Sequence, residues 1–249
     1  MIKLGLIGYP LGHSFSKNFY LTKFEAEGIN HIDYDLYPIE HIEKFIPLLQ
    51  KEIAFRGFNV TIPYKQTVMD YVDDLSEEAA AIQAVNCITI HRTTDKLWLK
   101  GYNTDAYGFQ KSLEPLLKPQ HTSALVLGNG GAAKAVFYVL QKLHIPYQIV
   151  SRSKDNGDFT YQDLTADIIE SNTLIINCSP VGTYPNIAEC PEIPYEALSS
   201  QHLLYDLIYN PEETLFLKKG KEKGATIKNG YEMLVLQAEK NWEIWQSNF

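Results

Sequence analysis

Three groups of residues combine the types and the spacing needed for chemistry. The first is "FNVTIPYK", residues 58–65. Period-two alternation sets Asn59 and Thr61 on one face of a short strand, opposite Phe58, Val60 and Ile62. Lys65 follows just past Pro63. A lysine at the mouth of a polar strand face can hold or donate a proton, and by itself Lys65 also fits an ordinary surface lysine. The second group is "LVLGNGGAAKAVFYVL", residues 125–140, where an apolar run ends at Gly128, and Gly128, Gly130 and Ala133 fit G-x-G-x-x-A at a helix start. Gly128 allows the tight turn, Gly130 lets a pyrophosphate approach the backbone, and Ala133 permits close helix–strand packing. Asn129, Gly131 and Ala132 complete the turn and the first helical residues, whose free N–H groups favour an anion. A plain strand–helix turn is the competing reading. The third group, "SRSK" at 151–154, stands where NAD-binding chains carry an acid for the ribose 2′-OH. Ser151, Arg152, Ser153 and Lys154 suit a 2′-phosphate instead, by hydroxyl donation and by guanidinium pairing or stacking on adenine. NADP is therefore expected over NAD, with Arg152 as a solvated loop residue the alternative.

The elements that must carry these groups alternate along the chain. Strands are expected over 3–8, 33–39 and 57–62, with helices over 14–28, 40–51 and 64–71. Ser14 or Ser16 caps the first helix. Strands 84–91 and 96–103 flank "RTTD", which reads as a hairpin turn, so this pair is expected to be antiparallel. The pattern then restarts with a helix over 104–117, strand 123–128, helix 131–143, and strands 147–152, 173–178 and 202–209. A last helix runs over 230–246. Two series of strand–helix–strand units predict an α/β fold with two α/β domains. Their hinges fall near Gly101 and Gly230, giving 1–100 with 230–249 as one domain and 101–229 as a Rossmann-type domain. If a nicotinamide dinucleotide sits in the second series, the first must supply the substrate and a proton, because carbonyl reduction needs both hydride and proton. Asp105, in "GYNTDAYGF" (101–109), is the carboxylate that would hold the Lys65 ammonium charged.

Composition bounds the partners. The 249 residues are 45% apolar and 21% charged, with a net charge of −8. That charge argues against nucleic acid or an anionic membrane surface, yet leaves room for a small anionic substrate bound by a few local cations. Cys87, Cys178 and Cys190 are too few and too scattered for a disulfide framework or a zinc site, and the seven histidines show no ligand spacing, so no metal is expected. "MIKLGLIGYPLGH" reads as a first strand and not as a signal peptide. No apolar run reaches membrane-spanning length, and a cytoplasmic protein is expected. There is no P-loop motif.

Taken together and in this order, the motifs resemble the shikimate dehydrogenase family over nearly the whole chain. The matching segments are "GHSFSK" with Ser14 and Ser16, the N-V-T-x-P-x-K segment with Asn59, Thr61 and Lys65, A-V-N with Asn86, and N-T-D-x-x-G with Asp105. The glycine turn, Ser-Arg-Ser, "NCSPVG" (177–182), "YDLIYNP" (205–211) and "NGYEMLVLQAE" (229–239) follow. The resemblance implies a cleft between a substrate domain with a mixed, mainly parallel sheet and an NADP-binding domain. It implies Lys65 and Asp105 as the catalytic pair, with Lys65 donating a proton as NADPH delivers hydride to 3-dehydroshikimate. Ser14 and Ser16 would hold the substrate carboxylate, and Asn59, Thr61, Asn86 and Gln237 the polyol ring. Tyr209, Gly230 and Met233 would lie by the nicotinamide or the substrate.

Read without the resemblance, Ser14 or Ser16 fits a helix cap, Asn59 a strand partner, Gln237 a satisfied core residue, and Tyr231 and Met233 packing. His13 has no role. Two positions depart from the family pattern. Lys17 stands where proline is common and adds a positive charge near the carboxylate site, and Asn156 stands where a second arginine is common. Lys154 can replace that arginine only as a point charge. A quinate or dual-specificity dehydrogenase using NAD and a non-catalytic NADP-binding regulator are the rival readings. The expected partners are a small molecule and, at most, a second copy of the chain, as a monomer or homodimer.

Overall fold

The computed structural model describes residues 1–249 apart from His13, Thr94 and Asp95. That histidine and half of the expected "RTTD" turn therefore lie outside the described residues. The chain divides into two compact units, Met1–Thr104 with Gln237–Phe249, and Asp105–Leu236.

In the first unit the elements are β1 (Ile2–Gly8), α1 (Phe15–Ala26), β2 (Ile32–Pro38), α2 (Phe45–Lys51), β3 (Phe55–Val60), β4 (Asp74–Leu75), α3 (Glu77–Ile82), β5 (Cys87–Arg92) and β6 (Leu97–Tyr102). The strands form one sheet in the order β2-β1-β3-β5-β6-β4. β1 runs parallel to β2 and β3, β4 parallel to β6, and β5 antiparallel to both β3 and β6. The sheet is thus mixed and mainly parallel, as expected. Period two then sorts the central strands. Ile7, Phe58 and Val60 face a core with Phe45, Leu49 and Tyr64, whereas Leu4 and Leu6 face Tyr20, Phe24, Tyr34, Trp242 and Trp245. Asn59, between Phe58 and Val60, is buried and accepts a hydrogen bond from the Tyr34 phenol, a member of the second cluster. Gly57 has a packing reason. A Cβ there would lie 2.3 Å from the Trp245 indole nitrogen, so the missing side chain admits that ring.

In the second unit the elements are α4 (Asp105–Leu113), β7 (Ala124–Leu127), α5 (Gly131–Lys142), β8 (Tyr147–Ser151), β9 (Phe159–Thr160), α6 (Ala166–Ser171), β10 (Leu174–Asn177), β11 (Leu203–Asp206), α7 (Leu215–Glu222) and β12 (Thr226–Lys228). A final helix, α8 (Tyr231–Gln246), begins here and enters the first unit's residues at Gln237. The sheet order is β12-β11-β10-β7-β8-β9, and every pairing is parallel. Strands β7, β10 and β11 are buried throughout, which explains their unbroken apolar runs. From β7 the chain builds outward through β8 on one side and through β10 on the other. That reversal makes the carboxyl ends of β7 and β10 a switch point, where doubly wound sheets take their ligands.

Three expected elements differ. Residues 64–71 form a turn and a short 3-10 helix, Thr67–Tyr71, instead of an α-helix. Tyr64 and Val68 both point into the core, and the Tyr64 hydroxyl donates to the Ile39 carbonyl at 2.5 Å, which holds the segment tight to the sheet. The helix expected over 104–117 stops at Leu113 and tightens to a 3-10 turn, Glu114–Leu116. Pro115 lacks the N–H that an α-helix would use there. The expected helix over 40–51 splits into a 3-10 turn, Ile42–Lys44, and α2. Helices α3, α6 and α7 and the short strands β4, β9 and β12 had no expectation attached to them. No described helix is long and apolar enough to cross a membrane.

Candidate active site

In the first unit a chain of buried and half-buried polar groups links four of the expected substrate residues. The Tyr34 phenol, with the Ser16 hydroxyl beside it, donates to Asn59 Oδ1 at 2.8 Å. Asn59 Nδ2 donates to the Asn86 carbonyl at 3.3 Å, and Asn86 Nδ2 donates to Gln237 Oε1 at 3.4 Å. Burial pushes the Tyr34 phenol well above its ordinary pKa, so it remains a donor at any physiological pH. Asn86 is held from the far side as well. Its Oδ1 accepts from the Thr104 N–H at 2.8 Å, and its Nδ2 donates to Thr104 Oγ1 at 2.9 Å. Ser16, Asn59, Asn86 and Gln237, spread over more than two hundred residues of sequence, thus belong to one connected polar surface.

Thr61 and Lys65 follow directly on β3. The Thr61 N–H continues the sheet by donating to the Ile7 carbonyl at 3.0 Å. Lys65 is half-buried, and its carbonyl accepts from the Val85 N–H at 2.7 Å, next to Asn86. Asp105 opens α4 immediately after Thr104, whose N–H and hydroxyl are both tied to Asn86. Ser14 stands at the N-cap of α1, but its side chain makes no capping bond, so the cap role is positional only. Lys17, next to Ser16, pairs its ammonium with Asp35 on β2 at 2.7 Å and holds that carboxyl below the usual range.

In the second unit a cavity of about 620 Å³ opens at the carboxyl ends of β7, β8 and β10, lined by Gly128, Asn129, Gly130, Ser151, Arg152, Ser153, Asn156, Tyr161 and the stretch 178–181. Gly128 has φ +99°, the left-handed region, and a Cβ would crowd the Ser179 backbone at 3.2 Å. At Gly130 and Gly131 a Cβ would meet nothing within 4 Å. Gly130 is the N-cap of α5 without a side-chain cap, so no capping side chain takes up the first N–H groups of the helix. Ala133, facing inward, is fully buried. Ala132 is exposed on the first turn of α5. Ser151 spends its hydroxyl on the Ser153 carbonyl and so builds the turn that carries Arg152. Lys154 begins an exposed 3-10 turn capped by Ser153. Among the described residues neither Arg152 nor Lys154 forms an ion pair, and the nearby Asp158 is taken by the Ile149 N–H at 2.7 Å. Asn156 contributes its backbone carbonyl, which accepts from the Asn129 amide. A diphosphate at the helix start and an added phosphate beside Arg152 both fit these donors.

Comparison with known proteins decides the family. The profile "Shikimate dehydrogenase substrate binding domain" matches residues 6–88. A protein of Clostridium beijerinckii named shikimate dehydrogenase (NADP(+)) is 40% identical, covering 97% of this chain and 91% of its own length. One of the same name from Methanosphaera stadtmanae is 36% identical over 97% of this chain and 90% of its own. The crystal structure of shikimate 5-dehydrogenase from Thermus thermophilus, in complex with NADP(H) and shikimate, superposes with a TM-score of 0.84 at 28% identity, covering 99% of this chain and 94% of that one. The chain belongs to the shikimate dehydrogenase family.

Three further residues of the family motifs sit together in the second unit. Tyr209 is 42% exposed just after β11, and the Gly230 N–H donates to the carbonyl of its neighbour Ile208 at 3.0 Å. Gly230 has its own backbone reason, since a Cβ would lie 2.1 Å from the Leu207 carbonyl oxygen. Met233 follows, buried in the first turn of α8.

The shikimate dehydrogenase motifs also contain a device that sequence reasoning missed. Asp206, fully buried at the end of β11, accepts from Asn177 Nδ2 and the Ile208 N–H, each at 3.0 Å, and from Thr214 Oγ1 at 2.6 Å. Asn177 Oδ1 in turn accepts from the Ser179 N–H and hydroxyl at 3.0 and 2.6 Å, fixing the loop that lines the cavity. Desolvation outweighs these donors and raises the Asp206 carboxyl from 3.8 to about 6. Because the folded value exceeds the unfolded one, the stabilising contribution is fully present below about pH 4 and is lost as pH rises through 6. Denaturant titrations of wild type and Asp206→Asn should show their stability difference shifting by about 2 kcal/mol in favour of wild type between pH 7.5 and pH 4. A pH-independent difference would contradict the assignment.

Proposed function

We propose that this chain is a shikimate dehydrogenase that reversibly reduces 3-dehydroshikimate to shikimate with NADPH. It would act as a soluble cytoplasmic enzyme, monomeric or homodimeric, in aromatic amino-acid biosynthesis. The observation that carries the reading is the polar surface joining Ser16, Asn59, Asn86 and Gln237, in a chain that also holds an uncapped glycine-rich helix start. A hydroxylated ring with a carboxylate needs such a set of neutral donors and acceptors, and a dinucleotide needs such a helix start. The first unit is assigned the substrate and the second the cofactor. Bound NADPH supplies the hydride.

This chain's residues do the rest. Ser14 and Ser16 orient the carboxylate, and Asn59, Thr61, Asn86 and Gln237 orient the ring. Lys65 Nζ holds the proton that passes to the carbonyl oxygen as it becomes an alkoxide, and Asp105 is the carboxylate that acts with it. Tyr209 lies by the substrate, and Gly230 and Met233 shape the nicotinamide end. Gly128, Asn129, Gly130, Gly131 and Ala132 cradle the diphosphate, and Arg152, Ser153 and Lys154, on the turn that Ser151 builds, take the adenosine end. Oxidation of shikimate, read as NADP⁺ reduction by absorbance, tests the reading directly, and a pure folded protein without that activity would overturn it.

The cofactor preference has its own test. A guanidinium on a phosphate contributes roughly 1.5–3 kcal/mol, so Arg152→Ala should raise the KM for NADP⁺ about 10-fold or more and leave that for NAD⁺ nearly unchanged. Equal losses for both would mean that Arg152 stacks on adenine and does not read the phosphate. A second reading, NAD-linked oxidation of quinate, rests on Asn156, which offers a backbone carbonyl where the family commonly has a second arginine.

A further inference from the structure

Asn241 lies one turn beyond Gln237 on α8 and is fully buried. Nothing in the motifs assigns it a role, yet both ends of its amide are engaged. Asn241 Oδ1 accepts from Thr104 Oγ1 at 2.6 Å, and Asn241 Nδ2 donates to Gln237 Oε1 at 3.1 Å. We infer that Asn241 is a positioning residue, which fixes the amide orientation of Gln237 and, through Thr104, that of Asn86, so that Gln237 meets its ligand as an N–H donor. The inference deepens the shikimate dehydrogenase reading and rests on it.

Donor counting carries the argument. Thr104 has one hydroxyl proton and two acceptors within reach, Asn241 Oδ1 at 2.6 Å and Asn86 Oδ1 at 3.2 Å. The shorter contact takes the proton. The Thr104 oxygen is then an acceptor for Asn86 Nδ2 at 2.9 Å, while Asn86 Oδ1 takes the Thr104 N–H at 2.8 Å. The Asn86 amide can therefore sit only one way round. Its nitrogen and that of Asn241 both donate to Gln237 Oε1, at 3.4 and 3.1 Å, which uses both lone pairs of that oxygen. Any hydrogen bond from Gln237 to a ligand comes from Nε2. Such a donor recognises an oxygen acceptor, and both a ketone and a hydroxyl oxygen of the ring qualify. An aliphatic side chain at 241 releases Gln237 Oε1 from one of its two donors and lets the amide turn over.

Asn241→Leu keeps the volume and leaves Thr104 the Asn86 oxygen as acceptor. Asn241→Asp keeps the acceptor for Thr104 but sets an oxygen against Gln237 Oε1. For each, kcat/KM for shikimate should fall about 10-fold or more, while the KM for NADP⁺ stays within about twofold. Residues acting as a unit are not additive, so in a Gln237→Ala background either substitution should cost less than about threefold. A loss of equal factor in both backgrounds would make Asn241 a packing residue and overturn the inference. So would an Asn241→Leu enzyme within about twofold of wild type, or failure of both variants to fold. Wild type assayed alongside separates the two levels. If it does not oxidise shikimate, the functional reading fails and takes this one with it, whereas an active wild type with additive losses overturns the Asn241 role alone.

Discussion

Replacing Lys65 by alanine is expected to lower kcat roughly 10²–10⁴-fold, the range for loss of a general acid, with a smaller change in KM for shikimate. The substitution isolates chemistry from folding because the local backbone is held by other groups. The Lys65 carbonyl accepts from the Val85 N–H at 2.7 Å, and the preceding Tyr64 is buried with its hydroxyl on the Ile39 carbonyl. Neither bond uses the Lys65 side chain. In the proposed mechanism the proton goes to an oxygen that gains charge only as hydride arrives, so its loss should weigh on the transition state more than on the ground state. Steady-state kinetics at saturating NADP⁺ reads this directly. Turnover within about twofold of wild type would remove Lys65 from the chemistry.

The largest stability effect is expected at Trp245. Trp245→Ala should cost about 3–5 kcal/mol and lower Tm by roughly 6–20 °C. The indole is fully buried, donates to the Ile88 carbonyl at 3.0 Å, and fills the space that Gly57 leaves on β3. It also packs against Tyr20 and Tyr34, with ring centroids 5.3 and 6.3 Å away. Tyr34 is the phenol that holds Asn59, so the same cavity should loosen the proposed substrate surface. A denaturant midpoint and a KM for shikimate measured on one preparation should shift together. A loss below about 1 kcal/mol would mean that the core collapses around the gap.

Much of this was legible from local chemistry. The glycine turn announces itself because φ +99° at Gly128 and the open approach at Gly130 are requirements of a few consecutive residues. The buried parallel strands β7, β10 and β11 show as unbroken apolar runs for an equally local reason. The 64–71 segment misled because apolar residues at 64 and 68 fit one face of an α-helix as well as of a 3-10 turn, and tertiary packing decided between them. The partner of Lys17 was hidden in a different way. The lysine's neighbours in sequence are the serines, but its partner, Asp35, lies 18 residues on. Hydrogen bonds across 137 residues, such as Thr104 to Asn241, or across 29, such as Asn177 to Asp206, leave no spacing to read. The order of the motifs carried the family, and the second layer of partners behind them became visible only in three dimensions.

The most direct measurement is kcat/KM for shikimate and for quinate, each with NADP⁺ and with NAD⁺, on one preparation. The account predicts the highest value for shikimate with NADP⁺, with each exchange of substrate or cofactor lowering it about 10-fold or more, since each leaves a polar or charged group without its match. Higher activity with quinate and NAD⁺ would contradict the reading of Arg152 and the substrate surface, and silence in all four with the dinucleotide still bound would contradict catalysis itself.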